Sequence, residues 1–176
     1  DIFKNLLKKI NLNEPEILDY GSGVGANLST LKQFSKNVDA YEPNGKMHEL
    51  IKEKYKVNVI NTIEKKYDLI FLTDVIEHIE DDKTQMKNIV NLLKNNGHLL
   101  ITVPAYQFLF SEKDKILHHF RRYNKKTLLN IFPDDVQVEK ISYYNFFLFF
   151  PIAITLLFFK LFKIKFIDVS EKTPNK

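Results

Sequence analysis

The chain has 176 residues, 44% of them hydrophobic and 27% charged, the balance of one globular domain with a sizeable core rather than of a disordered chain. With no cysteine it can hold neither a disulfide framework nor a thiolate metal site, which fits a cytoplasmic protein. The formal charge of +4 comes from 26 basic and 22 acidic residues; basic clusters occur only at Lys113 to Lys126 and Lys160 to Lys165, not as the continuous basic face that a nucleic-acid partner needs.

In chain order, Ile2, Phe3, Leu6, Leu7 and Ile10 recur at helical spacing, and a strand at Glu16 to Tyr20 follows the turn at Pro15. Helix and strand then alternate: a helix over about 27–35, a strand ending at Tyr41, a helix over about 45–54, and strands at Val57 to Ile60 and Tyr67 to Thr73. A helix over about 83–93 comes next, and Asn95-Asn96-Gly97 turns into a strand from His98 to Val103, which Pro104 stops. Such alternation predicts an α/β fold, a doubly wound, Rossmann-like and mostly parallel sheet with helices on both faces. Further on, a short helix is expected over 125–132 and a sixth strand over 135–144. The chain opens on Asp1 with neither a starting methionine nor the apolar run of a signal peptide, so a trimmed start and no leader are expected.

The most informative stretch is Ile17-Leu-Asp-Tyr-Gly-Ser-Gly-Val-Gly-Ala-Asn27. An apolar strand running into Gly21, Gly23 and Gly25 brings backbone close to a ligand at the start of a helix, and so predicts a bound adenosine. The same residues satisfy the relaxed dinucleotide pattern G-x-G-x-x-A, ending at Ala26. Asp19 tips the balance, because a carboxylate at the strand end accepts hydrogen bonds from an ammonium group and repels a pyrophosphate. Glu42, 21 residues after Gly21, can accept both ribose hydroxyls and serves either cofactor.

The discriminating segment is Tyr67-Asp-Leu-Ile-Phe-Leu-Thr-Asp-Val-Ile-Glu-His-Ile79. Together, Asp19-x-Gly-x-Gly-x-Gly25, Glu42, Asp74-Val-Ile-Glu-His78 and Asn96-Gly-His-Leu-Leu-Ile-Thr-Val-Pro104 resemble the class I S-adenosylmethionine-dependent methyltransferases over roughly residues 10–145. Asp114-Lys-Ile-Leu-His-His119-Phe-Arg-Arg-Tyr123 resembles a subgroup of these enzymes in cell-surface polysaccharide and lipid-linked glycan pathways. The resemblance implies S-adenosylmethionine as cofactor, with Asp19, Gly21, Gly23 and Gly25 carrying its methionine part and Glu42 its ribose. Thr62 and Ile63 would line the adenine, although the family often has an acidic residue where this chain has Asn61-Thr-Ile-Glu64. Asp74 and Val75 would lie under the cofactor. It also implies a sheet closed by an antiparallel last strand, for which Ile164 to Val169 is the candidate.

On the acceptor side, His78 and His119 are candidate bases or orienting groups, or else a helix-start histidine and a neighbour that have no chemical role. Tyr106, on the loop after the fifth strand, is a third catalytic candidate. Arg121, Arg122 and Tyr123 suit an anionic acceptor through guanidinium forks; alternatively the arginines pair with Asp114, Glu112 or other acids of the chain. The five histidines show no metal spacing, since adjacent His118 and His119 on a helix diverge by about 100°, and no metal is expected.

Nineteen residues from Ile141 to Phe159 carry no charge, and eight of the fifteen phenylalanines fall between Phe146 and Phe166. Pro151 and the polar start argue against a clean span, while Lys160, Lys163 and Lys165 among apolar residues suit an interfacial helix on an anionic membrane; a buried core or dimer helix and a true span are the other readings. The domain layout expected is thus a methyltransferase core over 1–145, the Phe/Lys-rich segment over 146–169 and a polar tail over 170–176. The function expected is methyl transfer to a small-molecule, glycan or lipid-linked acceptor, in the cytoplasm and peripheral at the inner membrane face. An NAD-dependent oxidoreductase, which would need a second domain, and a non-catalytic docking module are the alternatives.

Overall fold

The computed structural model describes residues 2–10, 12–144 and 146–162. They fall into two units. The first runs to Ile76 and resumes over Gln85–Thr102; the second comprises Glu77–Thr84 and the chain from Val103 onward.

The first unit is built on α1 (Ile2–Ile10), β1 (Ile17–Tyr20), α2 (Leu28–Leu31), β2 (Val38–Tyr41), α3 (His48–Tyr55), β3 (Asn58–Ile60), β4 (Tyr67–Thr73), most of α4 (Asp82–Val90) and β5 (Leu93–Thr102). All strand pairs are parallel, in the order β3-β2-β1-β4-β5. The chain steps outward from β1 to β3 and then crosses to the far side of β1, so strand order reverses between β1 and β4, where such sheets bind ligands beyond their carboxyl ends.

Alternation along the strands sends Ile17, Val38, Ala40, Leu69 and Phe71 to one face, where they meet Leu7 of α1, Leu28 and Leu31 of α2 and Ile51 of α3 in one buried cluster. The Phe3 ring meets Phe71 edge-on at 5.0 Å. Six of these side chains have no exposed surface, and each of the five larger than Ala40 contributes about 1.5–3 kcal/mol by leaving water. Leu18, Ile70 and Leu72 point to the other face and are equally buried, as are Met86 and Ile89 of α4. Tyr20, on that second face, accepts a 2.7 Å hydrogen bond from Gln85 of α4. Helices therefore cover both faces, as the alternating pattern predicts.

Two sequence expectations are corrected. Asn95-Asn96-Gly97 does not precede β5 but interrupts it: the ladder with β4 passes from Tyr67↔Leu93 to Leu69↔His98 through a bulge. Asn96 takes φ 59° there, and a Cβ on Gly97 would lie 2.9 Å from the Lys94 carbonyl oxygen and 3.0 Å from that of Tyr67. The turn chemistry was legible, but the strand resumes on both sides of it. The expected sixth strand over 135–144 is irregular chain that begins in a turn, with Val136 N–H donating to the Pro133 carbonyl. A strand needs a ladder partner, and among the described residues nothing pairs with 135–144. The expected last strand at Ile164 to Val169 and the tail lie outside the described residues.

The second unit holds α5 (Glu112–Ile116), α6 (Lys125–Leu129) and α7 (Phe146–Leu161). Ser111 and Asp114 close a capping box at α5, and Asn124 and Thr127 one at α6. The backbones of Ala105 and Tyr123 bridge in parallel. Among the described side chains of α7, Ala153 and Leu156 are buried, packing with Leu109 and the rings of Tyr106 and Phe149. Phe150, Ile152, Ile154, Leu157, Phe158 and Leu161 remain exposed. Among the described residues, no helix is long and apolar enough to cross a membrane.

Candidate active site

In the first unit the carboxyl ends of β1, β2 and β4 bring together residues from three distant stretches of sequence. β1 ends in Asp19 and Tyr20 and turns at once through Gly21, Gly23 and Gly25, whose φ angles are 72°, 53° and 79°. Only glycine adopts these without strain. A Cβ on Gly21 would lie 2.6 Å from Val75 and one on Gly25 2.5 Å from the Tyr55 ring, whereas one on Gly23 would meet nothing within 4 Å. Gly21 and Gly25 are thus packed against the protein, and Gly23 faces open space.

The loop amides show which cofactor this turn suits. Gly21 and Ser22 donate to the Tyr41 carbonyl, Gly25 donates to that of Ser22, and Gly23 donates to Glu42 Oε2 at 2.8 Å. A dinucleotide loop instead needs such amides for a pyrophosphate, and here a carboxylate stands in the phosphate's place. Glu42 also accepts from Asn44 N–H at 2.8 Å, which fixes its orientation and leaves oxygen lone pairs for hydroxyl donors. Asp19 is 1% exposed, and its Oδ2 is buried without a protein hydrogen-bond partner, as is the Ser22 hydroxyl. Burial, with the Glu42 charge adding to it, pushes the Asp19 carboxyl up to about 7. An α-ammonium beside Asp19 would satisfy that buried oxygen and restore its charge, so the residues present fit the amino-acid portion of S-adenosylmethionine.

Around this centre, Asp74 follows β4 at φ 53° and accepts from the Thr102 hydroxyl at 3.2 Å, while its amide donates to the Thr102 carbonyl. β5 thereby holds the turn that carries Asp74 and Val75. Asn27, at the start of α2, donates to the Thr73 hydroxyl at 2.8 Å. Thr62 and Ile63 follow β3; the Thr62 hydroxyl lies 3.1 Å from Glu64 Oε1, so an acidic group does stand beside the expected adenine-lining pair.

The expected acceptor-side residues all lie in the second unit. His78 and His119 meet edge-on, ring centroids 4.6 Å apart, with Glu77 fully buried beside them. His119 Nδ1 is 3.1 Å from Asp114 Oδ1. Asp114 is 1% exposed and accepts Arg122 through both Nε at 2.8 Å and an Nη at 3.0 Å. Burial alone would raise the Asp114 carboxyl, but the Arg122 fork and the Ser111 amide outweigh it and hold it below the usual range. Arg121 pairs with Asp82 at 2.8 Å and donates to the Glu80 carbonyl. Tyr123 is 2% exposed and donates its hydroxyl to Asp82, burial and that bond raising its pKa. Both arginines therefore sit in ion pairs with the chain's own acids, and the Tyr123 hydroxyl is spent on one of them.

Tyr106 stands at φ 64°, ψ 106°, a costly conformation for a non-glycine residue. It is held by its amide on the Tyr123 carbonyl at 2.7 Å and by a stacked Tyr143 ring at 5.1 Å. The sequence offers Asp114 only as an acid for the arginines and sets Glu77 beside His78 without a role of its own. Their only local signal is an acid at the N3 position of α5 and one inside the Glu77-His78 pair.

Comparison with known proteins agrees with this geometry. Residues 1–145 match the family profile described as a methyltransferase domain. Solved structures of similar fold include N-methyltransferase NodS from Bradyrhizobium japonicum WM9 in complex with S-adenosyl-L-homocysteine, at 18% identity over 80% of each chain with a TM-score of 0.57. Coclaurine N-methyltransferase, bound to N-methylheliamine and the same product, is 19% identical over 93% of this chain and 57% of its own, TM-score 0.65. An S-adenosylmethionine-dependent methyltransferase from Clostridium acetobutylicum ATCC 824 is 23% identical over 66% and 52%, TM-score 0.56. At these identities the likeness shows the fold. No curated protein matches the chain. The chain belongs to the methyltransferase-domain family, as an S-adenosylmethionine-dependent methyltransferase.

Proposed function

We propose that this chain methylates a small-molecule, glycan or lipid-linked acceptor at the cytoplasmic face of a membrane. The observation that carries the cofactor half of this reading is Asp19: a buried carboxylate with an unsatisfied oxygen, at the glycine turn and near Glu42. Asp19 takes the ammonium of S-adenosylmethionine, Gly21, Gly23 and Gly25 let its methionine part approach, and Glu42 takes the ribose hydroxyls. Thr62 and Ile63 line the adenine, and Asp74 and Val75 lie under the cofactor.

The bound cofactor supplies a sulfonium methyl for in-line displacement, and the protein's part is to align and, for a hydroxyl acceptor, to take its proton. In this reading His119 and His78 are the proton acceptors. A carboxylate can only accept, so Asp114 holds the proton of His119 on Nδ1 and leaves Nε2 basic. Arg122 acts through Asp114, Arg121 and Tyr123 shape the acceptor face through Asp82, and strained Tyr106 orients the acceptor. The exposed apolar residues of α7, with Lys160 among them and Lys163 and Lys165 after them in sequence, support an anionic membrane surface as the place where an apolar acceptor is met.

The test is calorimetric titration with S-adenosylhomocysteine beside NAD, followed by a labelled-methyl screen of membrane and glycan extracts. Binding of the former alone and label in a lipid-phase acceptor are expected. Binding of NAD instead would overturn the cofactor assignment, and label confined to protein or nucleic acid would overturn the acceptor class.

A further inference from the structure

Glu77, His78 and His119 form a donor set that the sequence spacing conceals. One oxygen of Glu77 and one nitrogen of each imidazole all lie within 4.8 Å of one another. His118 and His119 are adjacent in sequence, but His118 turns away at φ 58° and is exposed; the imidazole that joins His119 is that of His78, 41 residues earlier in the chain.

The set is built rather than incidental. Phe120 N–H donates to the Glu77 carbonyl at 2.8 Å, which ties the two segments together, and His119 N–H donates to the Asp114 carbonyl at 2.8 Å, which closes the turn that carries His119. Asp114 engages His119 Nδ1 and is itself held by Arg122, by the Ser111 amide at 2.9 Å and by the Ser111 hydroxyl at 3.1 Å. A carboxylate on the far ring nitrogen is the outer arrangement that orients metal-ligating imidazoles and raises their basicity. Glu77 offers a fully buried carboxylate, whose charge a dication would offset.

We propose that Glu77, His78 and His119 bind one divalent first-row transition-metal ion. Two imidazole nitrogens and one carboxylate oxygen suit zinc or manganese rather than magnesium, which prefers an all-oxygen, water-rich shell. Three protein ligands leave a position open. Tetrahedral ligation with bonds near 2.05 Å needs donor atoms about 3.4 Å apart, a closure that exposed His78 supplies by side-chain rotation. With the ion bound, His78 and His119 act as ligands instead of as proton acceptors, and an acceptor hydroxyl at the open position would be acidified by the ion itself; that last role rests on the methyl-transfer reading, whereas metal uptake does not.

The test uses the full chain, stripped with a chelator and shown folded by circular dichroism. It is titrated calorimetrically with zinc chloride, manganese chloride and magnesium chloride, and separately with S-adenosylhomocysteine. Zinc uptake at one ion per chain is expected, weakened at least tenfold in His78→Ala and in His119→Ala and unchanged in His118→Asn, which tolerates the left-handed backbone. His78 is exposed, so its variant keeps the test sound even if the buried Glu77→Gln variant misfolds. Proton NMR should show two histidine rings shifting with zinc and His118 unmoved. No zinc uptake by a folded chain overturns the proposal, as does uptake that survives the double His78→Ala, His119→Ala variant, or magnesium bound as tightly as zinc. Failure to bind S-adenosylhomocysteine with zinc uptake intact overturns the methyl-transfer reading instead.

Discussion

The amide of Gly23 donates to Glu42 Oε2 at 2.8 Å, so the end of β2 holds the glycine turn that follows β1. Glu42 thus does two things at once: it fixes the loop, and in the proposed function it takes the ribose. Replacing it by alanine should weaken S-adenosylhomocysteine binding about 10- to 100-fold, the cost of losing charge-assisted hydrogen bonds worth about 1.5–3 kcal/mol. The half-exposed side chain leaves the core untouched, so the melting temperature should move little. An unchanged dissociation constant in the Glu42→Ala chain would remove Glu42 from the site.

Gly21 and Gly23 should respond differently to alanine. At Gly21 a Cβ meets Val75 at 2.6 Å on top of an unfavourable φ, whereas at Gly23 only the φ of 53° opposes it. Gly21→Ala should therefore cost about 2–4 kcal/mol of stability, and Gly23→Ala about 1–2. Because the Gly23 methyl would project into the open space where the cofactor is proposed to approach the loop, the milder variant should still lose cofactor affinity. Denaturant midpoints and calorimetry on both chains separate the two effects. Equal destabilisation, or full affinity in Gly23→Ala, would contradict the packing described.

Asp19 sets the pH dependence. Its folded pKa, about 7, lies above the unfolded value of 3.8, so the folded chain binds the extra proton between these limits. The associated stability is fully present below about pH 4 and is lost as pH rises through 7. Asp19→Asn should then stabilise the free chain at pH 8, by about 4 kcal/mol at most, and leave it unchanged at pH 4. The same substitution should abolish cofactor binding, since the ammonium loses its carboxylate. In the unaltered chain, affinity for S-adenosylhomocysteine should fall as pH drops below 7, with about one proton released on binding at pH 6. Thermal melts of both chains at pH 4 and pH 8, and calorimetry in two buffers of different ionisation heat, measure these effects. A less stable Asp19→Asn chain at pH 8 would show that Asp19 is held charged by a partner in the fold.

The strands, and the meeting of Asp19, Glu42 and Asp74 at their ends, were readable because their signals are local. Each of Asp19, Glu42 and Asp74 stands where an apolar run ends, and parallel topology then carries three strand ends to one edge. The contacts among the expected acceptor-side residues were less readable. Arg122 finds Asp114 eight residues back, Arg121 finds Asp82 from another segment, and His119 finds His78 and Glu77, none of which any periodicity encodes. The 135–144 segment was misread for a related reason: its alternation is that of a strand, but a strand exists only where another offers its ladder. At Asn95-Asn96-Gly97 the turn signal was right about the backbone and silent about β4, whose pairing continues beyond the bulge.

α7 offers the sharpest check on the proposed membrane contact. Its buried stripe, Ala153 and Leu156, and its exposed residues lie on one short helix, so the same chemical change can be placed on either side. Ile154, at 67% exposure, and Leu161, at 77%, touch mainly solvent. Changing both to aspartate removes apolar area that would enter the interface and adds charges that an anionic surface repels, together several kcal/mol of membrane affinity. The Ile154→Asp, Leu161→Asp chain should keep its melting temperature and its S-adenosylhomocysteine affinity while losing at least 100-fold in partitioning onto vesicles containing anionic lipid. Leu156→Asp, which places a charge in the cluster with Leu109 and Phe149, should instead lower the melting temperature. Vesicle co-sedimentation at low and high salt distinguishes the apolar from the electrostatic part, since only the latter is screened. Equal sedimentation of the double variant and the unaltered chain would leave the exposed face of α7 without a membrane role.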